Sequence, residues 1–229
     1  MKVCDINKTG TIVELFSIPA DKRDASWKKQ FFDNVFDASF ACGDPQIFHG
    51  PDGFPYFQLS TPEPYKAFDS FCICNLLEQA TKDGFGIAIN PRENGVDWVF
   101  SCGDLLTHRL FGAFEVGQVQ SGHTQTVIPK ATQVLVGAPS EAILPAYTRR
   151  ILKMFIERNT GDKSPGVFLM NNSSATPPQS LVFSLFKEDF PDEARFNSLM
   201  TGLSWFLPRH YPPTSISRQG KPISQFYPL

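Results

Sequence analysis

The chain has 229 residues and a mass of 25.6 kDa, with 21 Lys and Arg against 23 Asp and Glu, a net charge of -2 and 41% apolar residues. A chain of this mass buries about 70% of its unfolded surface, enough for one or two cored domains, and near-neutral charge gives no electrostatic grip on polyanions, so no nucleic-acid partner is expected. No run approaches the roughly 18 apolar residues of a membrane span, and MKVCDINKTG lacks an apolar leader core, so the expectation is a cytoplasmic protein without a membrane partner.

Along the chain, Thr11-Ile12-Val13-Glu14-Leu15-Phe16 fits either a strand or a short helix, ended near Pro19. From Asp24, the spacing of Trp27, Phe31, Val35 and Phe36 predicts a helix running to about Phe40, with Asp24 or Ser26 as its N-cap. Two apolar runs, Gln46-Ile47-Phe48-His49 and Phe54-Pro55-Tyr56-Phe57-Gln58-Leu59, flank the turn cluster Gly50-Pro51-Asp52-Gly53. They predict a β-hairpin with Pro55 at an unpaired edge position. A second helix is expected over 68–82, stopped at Asp83-Gly84 by a left-handed glycine. Strands follow at 86–90 and 96–100 around the turn Pro91-Arg92-Glu93-Asn94-Gly95, with Val96, Trp98 and Phe100 on one face, and then a short helix at 103–111. Residues 112–130, rich in Gly, Gln and Thr, suit a linker or an irregular hairpin.

The second half restarts with the buried-looking strand Gln133-Val134-Leu135-Val136-Gly137 and the turn Ala138-Pro139-Ser140. Pro145 suits a first helical turn, and the helix 146–158 shows a stripe of Tyr147, Ile151, Met154 and Phe155. Strands at 166–170 and 181–186 are joined by the polar loop 171–179, and a helix at 193–207 follows Pro191-Asp192. The fold class expected is α/β or α+β: two mixed-sheet layers with packed helices, the second half a β-α-β-β-α unit. The expected domains are 1–130 and 131–210, with 211–229 a proline-rich tail that holds Arg218, Lys221 and no acid, either extended over the body or mobile.

Two stretches carry a family likeness. Asp83-Gly84-Phe85-Gly86-Ile87-Ala88-Ile89-Asn90-Pro91, the strand through Trp98 to Ser101 and Gly103-Asp104-Leu105-Leu106 resemble the N-terminal domain of SseB-type (enhanced serine sensitivity) proteins. Val134-Leu135-Val136-Gly137-Ala138-Pro139-Ser140, Leu144-Pro145, the helix to Arg158, Gly166-Val167-Phe168-Leu169-Met170 and Leu181-Val182-Phe183-Ser184-Leu185 resemble that family's C-terminal domain. The resemblance covers residues 30–207 and rests on turns and strands. It implies a bacterial, cytosolic, regulatory or protein-binding role with no enzymatic activity, cofactor or catalytic residues to carry over. The early aromatic helix and the proline-rich tail depart from the pattern.

Candidate sites read from the residues are few. Five cysteines, an odd number, point to reduced thiols rather than a disulfide framework. Cys72 and Cys74 form Cys-x-Cys, but on a helix their side chains diverge by about 200°, so apolar packing is expected rather than a metal site. Cys102, beside Ser101 at the start of a short helix, is the one candidate nucleophile, in a thiol-dependent hydrolase reading that needs His49 or His123 brought close by the fold, since His108, six residues on, lies about 120° around the helix from it. Asp44, His49 and Asp52 cluster at the first hairpin, where turn geometry already explains Asp and Gly. Arg149, Arg150, Lys153 and Arg158 give one helix a basic face, either solvated or turned to an acidic partner. Phe226, Tyr227 and Leu229 offer apolar anchors, for a partner or for their own domain. No cofactor, metal or small-molecule substrate is expected, and neither a Walker pattern nor Gly-x-Gly-x-x-Gly occurs. The function expected is a non-catalytic protein-interaction or regulatory module, with a secretion-associated adaptor or immunity protein as a further reading.

Overall fold

The computed structural model describes residues 2–116, 124–126, 134–172, 178–218 and 226–229. His123, Lys221, most of the expected linker and the centre of the 171–179 loop lie outside the described residues. The fold is α+β: among the described residues there are six α-helices and two mixed sheets. The chain divides into two compact units, Met1–Leu105 and Leu106–Leu229.

The first unit opens with α1 (Ile6–Phe16), which resolves the strand-or-helix ambiguity of the 11–16 segment. Its start lies upstream, where extended Asp5 accepts from the amides of Asn7 (2.9 Å) and Lys8 (3.4 Å), and Thr9, Ile12 and Leu15 form the buried face. In α2 (Ala25–Val35), Asp24 caps the Trp27 amide at 2.8 Å, and Trp27, Phe31 and Val35 are buried. The helix stops short of Phe40, whose backbone instead exchanges two 2.8 Å hydrogen bonds with Phe71. That bridge also delays the next helix: α3 is Ile73–Asp83 rather than 68–82, and it ends as expected on Gly84 at φ 77°.

The first sheet contains β1 (Ala41–His49), β2 (Pro55–Ser60), β3 (Gly86–Ile89) and β4 (Trp98–Phe100) in that order. β1–β2 and β3–β4 are antiparallel, and β2–β3 is parallel. The hairpin forms, but β2 lies inside the sheet rather than at its edge. Pro55 is tolerated because it is the first residue of β2, paired only with His49, and the ladder to β3 begins at Tyr56. The Asp44–Pro45 peptide is cis, within the stretch where the β1–β2 register shifts. Gly86 is required by close approach: a Cβ there would fall 2.6 Å from the Phe100 carbonyl oxygen and from the Tyr56 ring.

Aromatic side chains fill this unit's core. The Phe31 ring lies 5.1 Å from Trp27, 4.6 Å from Trp98 and 6.1 Å from Phe100. Trp27 donates its indole N–H to Leu15 O at 2.8 Å, and the Arg23 guanidinium sits 4.8 Å over the Trp27 ring while donating to Asp97 O.

The helix α4 (Cys102–Phe111) carries the division between the units. The second unit continues with β5 (Thr124–Thr126), β6 (Leu135–Gly137), α5 (Ala146–Thr160), β7 (Gly166–Asn171), β8 (Gln179–Phe183), α6 (Glu193–Phe206), β9 (Pro213–Ile216) and β10 (Tyr227–Pro228). The β-α-β-β-α succession is present as β6-α5-β7-β8-α6. The sheet order is β10-β7-β8-β9-β5, with β6 also paired to β7. The division falls ahead of Ala131 because Thr124–Thr126 already pairs with β9 in this sheet.

Two expectations change here, and one alternative is decided. β6 is not buried: Leu135 is 76% and Val136 40% exposed, because among the described residues the strand pairs only with β7. The buried face of α5 is Thr148, Leu152 and Ile156, with Met154 exposed, so the stripe is rotated from the expected Tyr147, Ile151, Met154 and Phe155. Of the two alternatives for 211–229, the described residues take the one extended over their own unit. β9 is buried throughout between β8 and β5, and β10 pairs with β7.

Candidate functional site

An edge strand leaves one row of backbone donors and acceptors unpaired, and its apolar side chains add affinity for another strand. β6 and β10 lie end to end along the same edge of β7. Leu135, Val136 and Gly137 face Asn171, Met170 and Leu169, and Tyr227 and Pro228 face Val167 and Gly166. Both short strands run antiparallel to β7, so together they present a stepped edge with exposed Leu135 and Val136 at one end and half-buried Tyr227 at the other. Behind it, Phe168, Met170, Val182 and Ile216 form a buried apolar cluster, with Val134, Phe186, Phe226 and Tyr227 packed against it. The sequence marked Tyr227 as an anchor. It missed Leu135 and Val136, because a short continuous apolar run reads the same at a sheet edge as at its centre.

The other anchors serve their own unit. Phe226 packs on Phe168 at 5.1 Å and on Phe186 at 6.3 Å, and the Leu229 amide donates to Pro165 O at 3.2 Å. The basic face of α5 is divided in role. Arg149 donates to Leu144 O at 2.9 Å and to Pro139 O, pinning the preceding loop, whereas Arg150 and Arg158 are exposed and Lys153 is half-buried.

Cys102 is sequestered. It is 2% exposed, and burial, with the Asp104 carboxylate adding to it, pushes its thiol up to about 12, which withholds the thiolate a nucleophile needs at neutral pH. Ser101 has an ordinary helix-entry role: its hydroxyl accepts from the Asp104 amide at 3.0 Å, and the Asp104 carboxylate accepts from the Ser101 amide at 2.9 Å. In the first hairpin, Asp52 accepts from the Phe54 amide (3.1 Å) and the Tyr56 hydroxyl (2.6 Å), so turn closure occupies it, and His49 is exposed.

The expectation of reduced thiols is overturned at one pair. Cys4 and Cys72 form a disulfide, with Cα atoms 5.6 Å apart. Cys72 is not helical: it is the extended N-cap of α3, at φ -134° and ψ 152°, so the divergence of a helical Cys-x-Cys does not apply. Cys74 Sγ instead lies 3.0 Å from Cys72 Sγ.

A half-open cleft of about 340 Å³ also opens in the second unit, lined by Asp162, Ser184, Phe186, Asp189 and Arg195 among others. Its carboxylates have local roles: Asp189 pairs with Arg218 at 2.6 Å and Asp162 accepts from the Ser164 amide at 2.9 Å. No helix of the described residues is long and apolar enough to cross a membrane. In comparisons with known proteins, no family model, no curated protein and no solved structure matches this chain.

Proposed function

We propose that the protein is a non-catalytic interaction or regulatory module, of the kind its resemblance to SseB-type proteins implies, and that it receives an extended segment of a partner protein along the edge formed by β6 and β10. The observation that carries the reading is the exposure of Leu135 and Val136 on a strand that, among the described residues, pairs on one side only. A partner strand laid against that edge gains backbone hydrogen bonds and covers both side chains, which supplies affinity without any catalytic group. The sequestered Cys102 thiol favours this reading over a hydrolase that uses it. The proposed compartment is the cytoplasm, where the disulfides that do form are chiefly transient or redox-sensing.

The test is affinity capture from the native host's cytosolic extract with the full chain and with a Leu135→Asp/Val136→Lys double variant. Both substitutions are at exposed positions, so the variant should melt within about 2 °C of the parent. A stoichiometric protein held by the parent and lost by the folded variant supports the proposal. Equal retention by both places the contact elsewhere.

A further inference from the structure

Three sulfurs meet at the N-terminal end of α3. Cys4 and Cys72 are bonded, and the Cys74 thiol stands 3.0 Å from Cys72 Sγ, the inner sulfur of the bond. The meeting follows from local structure. Cys72 is extended while Cys74 lies in the first turn of α3, and the Cys74 amide donates to Phe36 O at 3.0 Å, fixing the turn against the end of α2. Cys4 is held by a reciprocal pair, in which the Lys2 amide donates to Asn75 Oδ1 and Asn75 Nδ2 donates to Lys2 O, both at 2.9 Å. The Asp5 amide adds a 2.7 Å bond to Asp37 O.

We propose that Cys4, Cys72 and Cys74 form an intramolecular thiol–disulfide exchange site, in which Cys74 displaces Cys4 from Cys72 and releases the Cys4 thiol. Cys74 Sγ gives up its proton and attacks Cys72 Sγ. A Cys74–Cys72 bond forms as the Cys72–Cys4 bond breaks, and Cys4 departs as a thiolate that takes up a proton. One disulfide and one thiol exist before and after, so no oxidant or reductant is consumed.

The surroundings supply each element of this step. The Cys74 proton leaves to solvent hydroxide, while the Asp37 carboxylate, which faces Cys74 and whose Oδ1 is buried and otherwise without a hydrogen-bond donor, accepts from the resting thiol and holds it in place. Asn75 Nδ2 lies 3.2 Å from Cys72 Sγ and 3.8 Å from Cys4 Sγ, placed to donate to the sulfur that becomes negative. Lys2 and Lys8 are the cations facing the site, with Lys8 Nζ 3.1 Å and Lys2 Nζ 4.0 Å from the Asp37 carboxylate. Burial, reinforced by Asp37, pushes the Cys74 thiol up, against the smaller opposing effects of Lys2 and the Asn75 amide. Lys8 and Lys2 hold Asp37 below its ordinary range although burial works the other way. At neutral pH the resting pair is therefore Cys4–Cys72 with Cys74 protonated, and exchange accelerates as pH rises. The released thiol belongs to the half-buried Cys4, whereas Cys72 is fully buried, so exchange turns a closed bond into a modifiable thiol.

The experiment uses the full chain, isolated without reductant and incubated with iodoacetamide between pH 7 and 9.5, then digested and mapped by mass spectrometry. At rest, peptide 3–8 is linked to peptide 67–82. After exchange, peptide 3–8 carries the alkyl group and peptide 67–82 holds an internal disulfide. The expected result is that this trapped product accumulates faster by about tenfold per pH unit while Cys74 is mainly protonated. It should be absent in Cys74→Ser and slowed in Asn75→Ala, whose Cys4–Cys72 link is first verified by the same map. Equal Cys4 alkylation in Cys74→Ser and wild type would overturn the proposal, as would a wild type in which Cys74 is alkylated while peptides 3–8 and 67–82 stay linked.

Discussion

Asn90 donates its side-chain N–H to Asp97 Oδ2 at 2.8 Å while its own Oδ1 accepts from the Thr61 amide at 2.8 Å. One carboxamide thus ties the Asn-Pro turn between β3 and β4 to the chain leaving β2, and it does so from a left-handed backbone at φ 53°. Asn tolerates this region because its short polar side chain forms local hydrogen bonds. Arg92 completes the turn with a 2.6 Å bond to the same Asp97 oxygen.

Asn90→Ala removes these side-chain bonds, together with one from the Thr61 hydroxyl at 3.3 Å, and places a side chain with no compensating hydrogen bond in the left-handed region. The expected loss of unfolding free energy is about 2–3 kcal/mol, and Asn90→Gly should lose about 1 kcal/mol less because it adopts this backbone freely. Urea unfolding of the two variants measures the order, and an equal loss would remove the backbone from the explanation.

Phe31 is fully buried among Phe16, Trp27, Trp98 and Phe100. Phe31→Ala should cost about 3–5 kcal/mol, the lost transfer free energy plus the cavity left among rings that cannot collapse into it. Phe31→Leu should recover part of that. Denaturant midpoints with unchanged slopes are the readout.

Cys102 gives a pH dependence with a defined sign. Its thiol is held near pH 12 in the folded chain against an ordinary value of 9.0, so above pH 9 the unfolded chain releases a proton that the folded chain retains. The stabilising contribution is fully present below pH 9 and declines by about 1.4 kcal/mol per pH unit as pH rises toward 12. The variant Cys102→Ala lacks this slope. Parallel stability profiles of variant and wild type from pH 8 to 11 would show that burial does not set the titration of Cys102.

What the sequence made legible was local. The Asp24 and Asp192 caps and the Gly84 stop each announce a helix end through bonds spanning a few residues, and each is observed in that role. The Gly50–Gly53 turn likewise placed the first hairpin. What stayed hidden depended on distant chain. Cys4 and Cys72 are separated by 68 residues, and nothing in their spacing shows that the start of α1 lies beside the start of α3. The Phe40–Phe71 bridge, which turns Phe71 from helix to extended chain, is also non-local. β9 was concealed by proline, yet Pro213 begins the strand, where a missing donor disturbs the ladder least. The rotated face of α5 reflects Thr148, which is buried beneath the helix although its residue type reads as polar. Of the candidate interaction edge, Tyr227 was legible and Leu135 and Val136 were not, because exposure at an edge is set by which strands fail to pair.

The most direct test of the interaction account is backbone amide hydrogen exchange of the full chain, alone and saturated with the partner it captures. Strand addition predicts slowed exchange at the Val136 amide, which points away from β7 and acquires an acceptor, with little change at Leu135, Gly137 and Tyr227, whose amides already face β7. Unchanged exchange along both strands, with protection appearing on another surface, would contradict the assignment of this edge as the docking site.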